Sequence, residues 1–406
     1  MLFQGLDDKS ECVGIYCGGK LIFDDSDFPE DLSKTWKYSS YLKGRNSIEY
    51  ANLYIQEKTI EEIVPEYLLD DWSDVSDRLA AFTRSLKIAN VNCSEHCIYD
   101  LTPERFLVEF CEVKNRITEY VINNFKKPDR YDFLFKVCQM LEDISNRPLK
   151  VDKTRLNVYM SGAKTKHFAQ SIIKSSGYIK YDQFGTKTGR LTTKPNSFPI
   201  LTLKRGMRDV VVPHNDYFLE LDFNGAEARV MMGLLGKPQP DQDIHLFHQE
   251  EVFGGAQDRD TVKTAFFAWL YGSSASARSK EGKMLKSFYN KEAILDKYWD
   301  GKSVYTCYRK KIDDVDEHHA LNYIIQSTTA ELTLLQALKI DHFLETTGAK
   351  SKISCIIHDA IVLDFSSEDE HLLSAIKKLM SSTKFGTFKI NTCRGQNLAM
   401  LKEVSI

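Results

Sequence analysis

Long apolar runs are missing from this 406-residue sequence. No stretch reaches the roughly 18 apolar residues that a membrane helix needs, and the mean hydropathy is −0.35. The N-terminal MLFQGLDDKS has no basic segment followed by an apolar one, so no secretory signal is expected. The expectation is a soluble, cytoplasmic protein with no membrane partner. Internal repeats and low-complexity tracts are also missing. The nine cysteines, at 12, 17, 93, 97, 111, 138, 307, 355 and 393, are odd in number and irregularly spaced. That pattern speaks against a disulfide framework and suits reduced thiols. Cys93, His96 and Cys97 cluster as CSEHC, with Cys12 and Cys17 upstream, but the spacing matches no common zinc finger. Ordinary buried thiols are the reading there.

Charge of one sign is scarce overall: the net charge is −3. Split along the chain, it becomes informative. Residues 1–150 carry 19 Lys+Arg against 27 Asp+Glu, a net of −8, and the remainder carries 35 against 30, a net of +5. Within residues 151–210 there are 12 basic and 3 acidic side chains. A local basic stripe is what phosphate contacts require, because binding gains from counterion release. A solvated basic face would look the same by charge alone. With 42% hydrophobic residues the chain can bury a substantial core of one large divided domain or two to three smaller ones.

Periodicity places the elements. CVGIYCGGKLIFD (12–24) reads as two strands around Gly18-Gly19. Thr102-Pro103 opens a helix through the apolar spacing of FLVEFCEVKNRITEYVINNF. Lys127-Pro128-Asp129 breaks the chain, and a further helix from Tyr131 to about Ile144 follows, with a boundary expected near 130. YFLELD (217–222) reads as a buried strand, followed by helices around 225–235, 241–252 and 258–271. A long helix is expected over 317–346, ending at Gly348, and SKISCIIHDAIVLDF reads as a hairpin with His358-Asp359 at its tip. The fold class is α+β.

Four segments carry chemistry. Asp222 ends a strand and Asp359 tips a hairpin; strands adjacent in one sheet could bring both carboxylates together. Two carboxylates plus substrate phosphates suffice to hold a pair of magnesium ions, although each aspartate alone is more often a turn residue. Arg259, Lys263, Phe267 and Tyr271 recur every four residues and so form one stripe on a helix. Two cations then two rings suit a nucleoside triphosphate, and basic residues early in a helix oppose its dipole, which favours a functional reason. Thr188-Gly189-Arg190-Leu191 lies in the basic zone with Arg205 and Arg208. Asn322 and Gln326 sit one turn apart on the long helix, as neutral groups able to touch base edges or sugars. Buried capping amides are the ordinary alternative.

Taken in order, these segments resemble the family A DNA polymerases, the group of bacterial DNA polymerase I. TGRL (188–191) resembles a primer-template motif. LDFNGAEARV (221–230) resembles motif A, usually D-Y-S-Q-I-E-L-R, and RDTVKTAFFAWLYG (259–272) resembles motif B, R-x3-K-x7-Y-G. IIHDAIVLDF (356–365) resembles motif C, Asp243-Ile244-His245 a D-I-H element, and NYIIQSTTAE (322–331) the N-A-P-x-Q-G-T-A-A-D segment. The resemblance covers roughly residues 133–400. It implies a right-hand polymerase fold with a β-sheet palm, helical fingers and a shortened thumb, preceded by a small N-terminal α/β region.

The resemblance also implies roles. Asp222 and Asp359 would hold two Mg2+ ions, with Mn2+ able to substitute. Arg259, Lys263 and His245 would grip the triphosphate, Lys263 serving as general acid. Glu227 would exclude a ribose 2′-hydroxyl, Phe267 would stack on the incoming base, and Tyr271 would stand at the template position. Arg190, Arg208, Asn322, Gln326 and His358 would hold primer-template DNA. By the same resemblance, 1–130 would be a degenerate or replacement domain with thumb-like helices, 131–210 the shortened thumb and approach to the palm, 211–257 palm, 258–316 fingers and 317–406 palm. Only about three dozen residues separate ISNRPLKVDKTRL (144–156) from TGRL, so the thumb is shortened or replaced by residues 60–130.

Departures from the pattern are specific. Ala360 stands where motif C usually has glutamate, Asn224-Gly225 replaces Ser-Gln, and His318 stands where arginine is common. No D-x-E occurs in the first 130 residues, so 3′→5′ proofreading is not expected. A compact chain of this kind suits a phage, acting in the host cytoplasm with a processivity or replisome partner. Two rival readings are a single-subunit RNA polymerase, which Glu227, TGRL and Phe267 oppose, and a catalytically inactive DNA-binding accessory protein, which the intact Asp222, Asp359, Arg259 and Lys263 oppose.

Overall fold

The computed structural model describes all residues except 9–11, 40–43, 45–47, 57, 92, 94–95, 176, 272–277 and 405–406, together with the side chain of Cys12. The chain divides into two compact units, Met1–Arg147 and Pro148–Ile406. Among the described residues, no helix is long and apolar enough to cross a membrane.

The N-terminal unit opens with an antiparallel sheet of β1 (Phe3–Asp7), β2 (Cys12–Cys17) and β3 (Lys20–Ile22), the last two forming the expected hairpin. Three long helices follow: α1 (Leu69–Ile88), α2 (Glu104–Asn124) and α3 (Tyr131–Ser145). Helix α2 buries Phe106, Leu107, Phe110, Ile117 and Val121 at helical spacing. Buried Gln4 ties β1 to it, its amide donating to Asn115 Oδ1 at 2.9 Å and Thr118 Oγ1 at 3.0 Å. The unit ends at Arg147, beyond the boundary expected near 130. Aromatic packing explains the difference: Phe135 of α3 stacks on Tyr50 at 5.1 Å, and the Tyr131 hydroxyl accepts a bond from the Tyr50 amide at 2.7 Å. Lys127-Pro128-Asp129 is therefore a turn inside the unit. The Cys97 thiol of the CSEHC cluster is buried against Leu6 O at 3.6 Å, and burial pushes its pKa up to about 11.

The second unit is built on a five-stranded antiparallel sheet. Its order is β5 (Lys352–Ile357), β6 (Ala360–Phe365), β4 (Tyr217–Phe223), β7 (Ile390–Gly395) and β8 (Lys402–Glu403). β4 is central, and Tyr217, Phe218, Leu219, Leu221 and Phe223 are buried. Helix α4 (Ala226–Leu234) and helix α6 (Glu317–Thr346) pack together, and α6 also packs against β5. Burial of α6 on most of its faces admits polar side chains only where they are bonded. Gln336 accordingly donates to the carbonyls of Leu379, Met380 and Ser382 at 2.6, 3.0 and 2.9 Å. Gly348, at φ +66°, ends α6 as expected. Helix α5 (Arg259–Tyr271) matches the expected stripe. The helix expected over 241–252 starts later, at Ile244, because the Asp243 side chain caps it by accepting from the His245 and Leu246 amides, and it passes into a π turn at His248–Val252.

Gly225 joins β4 to α4 at φ +66°, and a Cβ there would lie 2.4 Å from Ile244 Cγ2. Gly225→Ala should therefore lower stability by about 1–3 kcal/mol through strain and overpacking, read as a shift in the urea midpoint. An unchanged midpoint would show that Ile244 yields freely.

Candidate functional site

Strand register builds the centre of the site. Asp222 pairs with Ala360 across β4 and β6, so Asp359, one residue earlier at the hairpin tip, lies beside it. The tip is held in place: the buried Tyr181 hydroxyl donates to Ile356 O at 2.7 Å and accepts from Ile356 N at 2.9 Å. His358 takes the left-handed turn conformation at φ 57°. Burial, then the Asp359 and Glu220 carboxylates, pushes Asp222 up to about 7, against the pull of Asn391 and Lys263. Burial likewise raises Asp359, outweighing its backbone hydrogen bond and the attraction of Arg190, His358 and Lys263. Glu220 follows the alternation of the strand two residues before Asp222, with Arg205 and Arg208 near it.

These two carboxylates suit a divalent cation. They are hard oxygen donors, drawn together by the sheet, and neither has an ion-pair partner among the described residues. Their raised affinity for protons reports burial of the charged form, and for Asp222 the neighbouring Asp359 and Glu220 as well, a cost that a bound cation would relieve. No cluster of three or more His, Cys, Asp or Glu side chains arranged to hold a metal occurs among the described residues. Substrate oxygens or water would have to complete the coordination.

Helix α5 carries the cations and rings. Arg259 Nη2 donates to Asp243 Oδ2 at 2.7 Å. Against the cost of burial, hydrogen bonds from Arg259, Asn224 and Leu246 hold Asp243 far below the usual carboxylate range. Lys263 is exposed, and Phe267 stacks on Tyr271 with centroids 6.2 Å apart. His245 is 3% exposed and lies 6.1 Å from the Phe267 ring. Its burial, then the cations Arg259, Lys263 and Arg229, lowers its pKa to about 4 despite Asp243. It is thus a neutral imidazole at pH 7.

A second cluster closes the other side. Arg190 Nη2 donates to Glu227 Oε1 at 2.5 Å, with Glu227 8% exposed. Burial raises Glu227 even though Tyr271 and Arg190 favour its charged form, and burial and Glu227 raise the Tyr271 phenol. Gln326 of α6 faces the same phenol. Ser327 Oγ donates to Thr188 O at 2.7 Å, fastening the TGRL segment to α6, and Gly189 turns at φ +79°. Arg190, His358 and Asp359 line one small pocket with Thr329 and Thr333. Arg208 donates to Leu203 O at 3.0 Å and stands near His358. Asn322 is partly buried on α6, one turn before Gln326. Gly272 of the motif B resemblance lies outside the described residues.

No family profile matches the chain. It is similar to DNA polymerase I of Aquifex aeolicus, 23% identical over 258 residues, which are 54% of this chain and 44% of that protein. DNA polymerase I of Lactococcus lactis is 27% identical over 252 residues, 51% of this chain and 28% of the relative. The thermostable DNA polymerase I of Thermus aquaticus is 25% identical over 248 residues, 50% and 29% of the two lengths. The match thus spans less than half the length of these relatives. A solved structure of the polymerase domain of Pol1 from M. smegmatis, in complex with DNA primer-template and dNTP, aligns with TM-score 0.66 and 11% identity. The alignment covers 98% of this chain and 95% of that one. The chain has the fold of a DNA polymerase I polymerase domain.

Within this polymerase fold, several site residues were given no role by the sequence, although Asn224 and Arg229 fall inside the motif A segment. Asn224 and Asn391 contact Asp243 and Asp222, and Arg229 is 0% exposed, donating to Asn224 O, Pro240 O and Gln242 O at 2.7, 2.9 and 2.8 Å. Their partners are distant in sequence or are backbone atoms, which no motif spacing records.

The raised Asp222 predicts a pH dependence. A carboxyl whose folded pKa exceeds its unfolded value stabilises the fold below the unfolded pKa, and this contribution is lost as pH rises through the folded one. In EDTA, stability should fall between about pH 4 and pH 7 by more in the parent than in Asp222→Asn, and millimolar Mg2+ should restore the parent. Parallel curves for the two proteins would remove Asp222 as the source.

Proposed function

We propose that the chain is a template-directed DNA polymerase that adds deoxynucleotides to a primer 3′-hydroxyl. One observation carries the reading: in a polymerase fold, the paired carboxylates Asp222 and Asp359 lie under the influence of Lys263, on the helix whose first residue is Arg259. Held by Asp222 and Asp359, two magnesium ions, or manganese in their place, would activate the 3′-hydroxyl and stabilise the leaving pyrophosphate.

The chain's own groups do the rest. Arg259 and Lys263 meet the triphosphate, and Lys263 donates a proton to the departing pyrophosphate oxygen. Neutral His245 offers a hydrogen bond without added charge. Phe267 stacks on the incoming base, next to Tyr271 at the template position. Glu227, fixed by Arg190, packs against the sugar and leaves no room for a 2′-hydroxyl. Arg190, Arg208, Asn322, Gln326 and His358 contact the primer-template, aided by the basic segment 151–210. The sheet would be the palm and α5 part of the fingers. The first 130 residues hold no D-x-E, so the N-terminal unit would supply no 3′→5′ proofreading. Retention on DNA would then fall to a processivity partner.

Primer extension with Mg2+ and dNTPs tests the reading directly. Asp222→Ala and Asp359→Ala should each lower the extension rate at least about a hundredfold while DNA binding survives. Retention of more activity by either variant would sink the assignment of both carboxylates. Glu227→Ala should incorporate ribonucleotides more readily than the parent. An unchanged dNTP/NTP preference would shift the reading toward an RNA polymerase. A primer with a mismatched 3′ end, held with Mg2+ and no nucleotides, should stay intact; shortening that persists in Asp222→Ala would reveal a separate nuclease.

A further inference from the structure

We propose that Asn224 and Asn391 are positioning residues that hold the phosphate-binding Arg259 in register with the carboxylate Asp222. The identity of the bound phosphate rests on the polymerase reading; the network itself stands on geometry. Asn391 on β7 is the register partner of Asp222 on β4, and its amide donates to Asp222 Oδ2 at 3.5 Å. Asn224, directly after β4 and 4% exposed, donates from Nδ2 to Asn391 Oδ1 at 3.3 Å and to Asp243 Oδ2 at 2.8 Å. The same Asp243 oxygen accepts from Arg259 Nη2 at 2.7 Å. A continuous chain of hydrogen bonds therefore runs from the proposed metal carboxylate, through two neutral amides, to the first residue of α5.

The amide of Asn224 has no freedom to turn. Its Oδ1 accepts from the Ile244 amide at 2.8 Å and from Arg229 Nη2 at 3.2 Å, while its backbone carbonyl accepts from Arg229 Nε at 2.7 Å. With the acceptor end pinned by a fully buried guanidinium, the donor end must point at Asp243 and Asn391. Asp243 is in turn fixed by accepting two amide bonds on its other oxygen, from His245 and Leu246 at 2.9 and 3.1 Å. Arg259 sits where the positive end of the dipole of α5 repels it, and Asp243 offsets that repulsion. The anchored guanidinium keeps further N–H groups for an anion, in a geometry set before the anion arrives. Such preorganisation improves binding by removing the ordering cost of a long side chain.

Asn224→Asp keeps the acceptor oxygen and replaces the donor to both Asp243 and Asn391 with a charged oxygen. Asn224→Ala, which adds no charge, is measured beside it and should show the same direction of change. Parent and variants are compared by calorimetric titration with inorganic tripolyphosphate and with dATP plus Mg2+, and by steady-state primer extension. Asn224→Asp should weaken tripolyphosphate and dATP about tenfold and raise KM for dNTP by a similar factor, with kcat changed less than about threefold. Asn391→Ala should weaken both ligands about threefold, and adding it to Asn224→Asp should cost nothing more. On an Arg259→Ala background, Asn224→Asp should have no further effect. The proposal is overturned if Asn224→Asp melts like the parent and binds both ligands as well, if the Asn224 and Asn391 effects simply multiply, or if the parent binds no tripolyphosphate. Should Asn224→Asp fail to fold, unchanged ligand binding by Asn391→Ala overturns it equally. A parent that binds these ligands but extends no primer would sink the polymerase reading alone.

Discussion

The antiparallel pairing of Tyr217–Phe223 with Ala360–Phe365 is the constraint on which the candidate site depends. Because Asp222 faces Ala360 in that register, Asp359 at the hairpin tip falls beside it, and two carboxylates meet where burial disfavours their charge. A slip of one residue would turn Asp222 to the opposite face of the sheet. Register is held by the apolar residues of β4 and β6, nearly all buried, and by the Tyr181 hydroxyl, which bonds both backbone groups of Ile356 just before the tip. The sheet thus maintains an arrangement that its own electrostatics oppose.

Positive charge around this centre is arranged unevenly. Arg259 is latched to Asp243 and Arg190 to Glu227, so each guanidinium is already oriented by a carboxylate, whereas Lys263 remains exposed. Buried Arg229 serves a different purpose, tying the end of β4 to the loop before Asp243 through backbone carbonyls. Burial first, and these cations second, keep His245 neutral at pH 7. The result is a pair of guanidinium groups already oriented by carboxylates, beside one exposed ammonium.

The N-terminal unit follows a different logic. It carries the acidic excess of the sequence, 18 Lys+Arg against 27 Asp+Glu over residues 1–147, a net of −9, and is held by an aromatic core in which Tyr50, Phe135 and Tyr131 interlock. That core draws the helix Tyr131–Ser145 into the unit, and the division falls at Arg147 in consequence.

Local pattern alone determined the elements: the Gly18-Gly19 hairpin, the helix behind Thr102-Pro103, the thirty-residue helix Glu317–Thr346 and the hairpin tipped by His358-Asp359 all follow from periodicity and turn chemistry. The stripe of Arg259, Lys263, Phe267 and Tyr271 was legible for the same reason, since spacing by four is a property of one helix. Tertiary structure decided what no spacing encodes. It lowered the pKa of His245 by burying it first and by placing cations from other elements around it second, and moved the unit boundary by aromatic contacts between residues some eighty positions apart. It also joined Asn224, Asn391 and Asp243 into one network, with partners separated by 167 positions at the extreme. A hydrogen bond has a short range in space and none in sequence, so such residues become visible only when the sheet has closed.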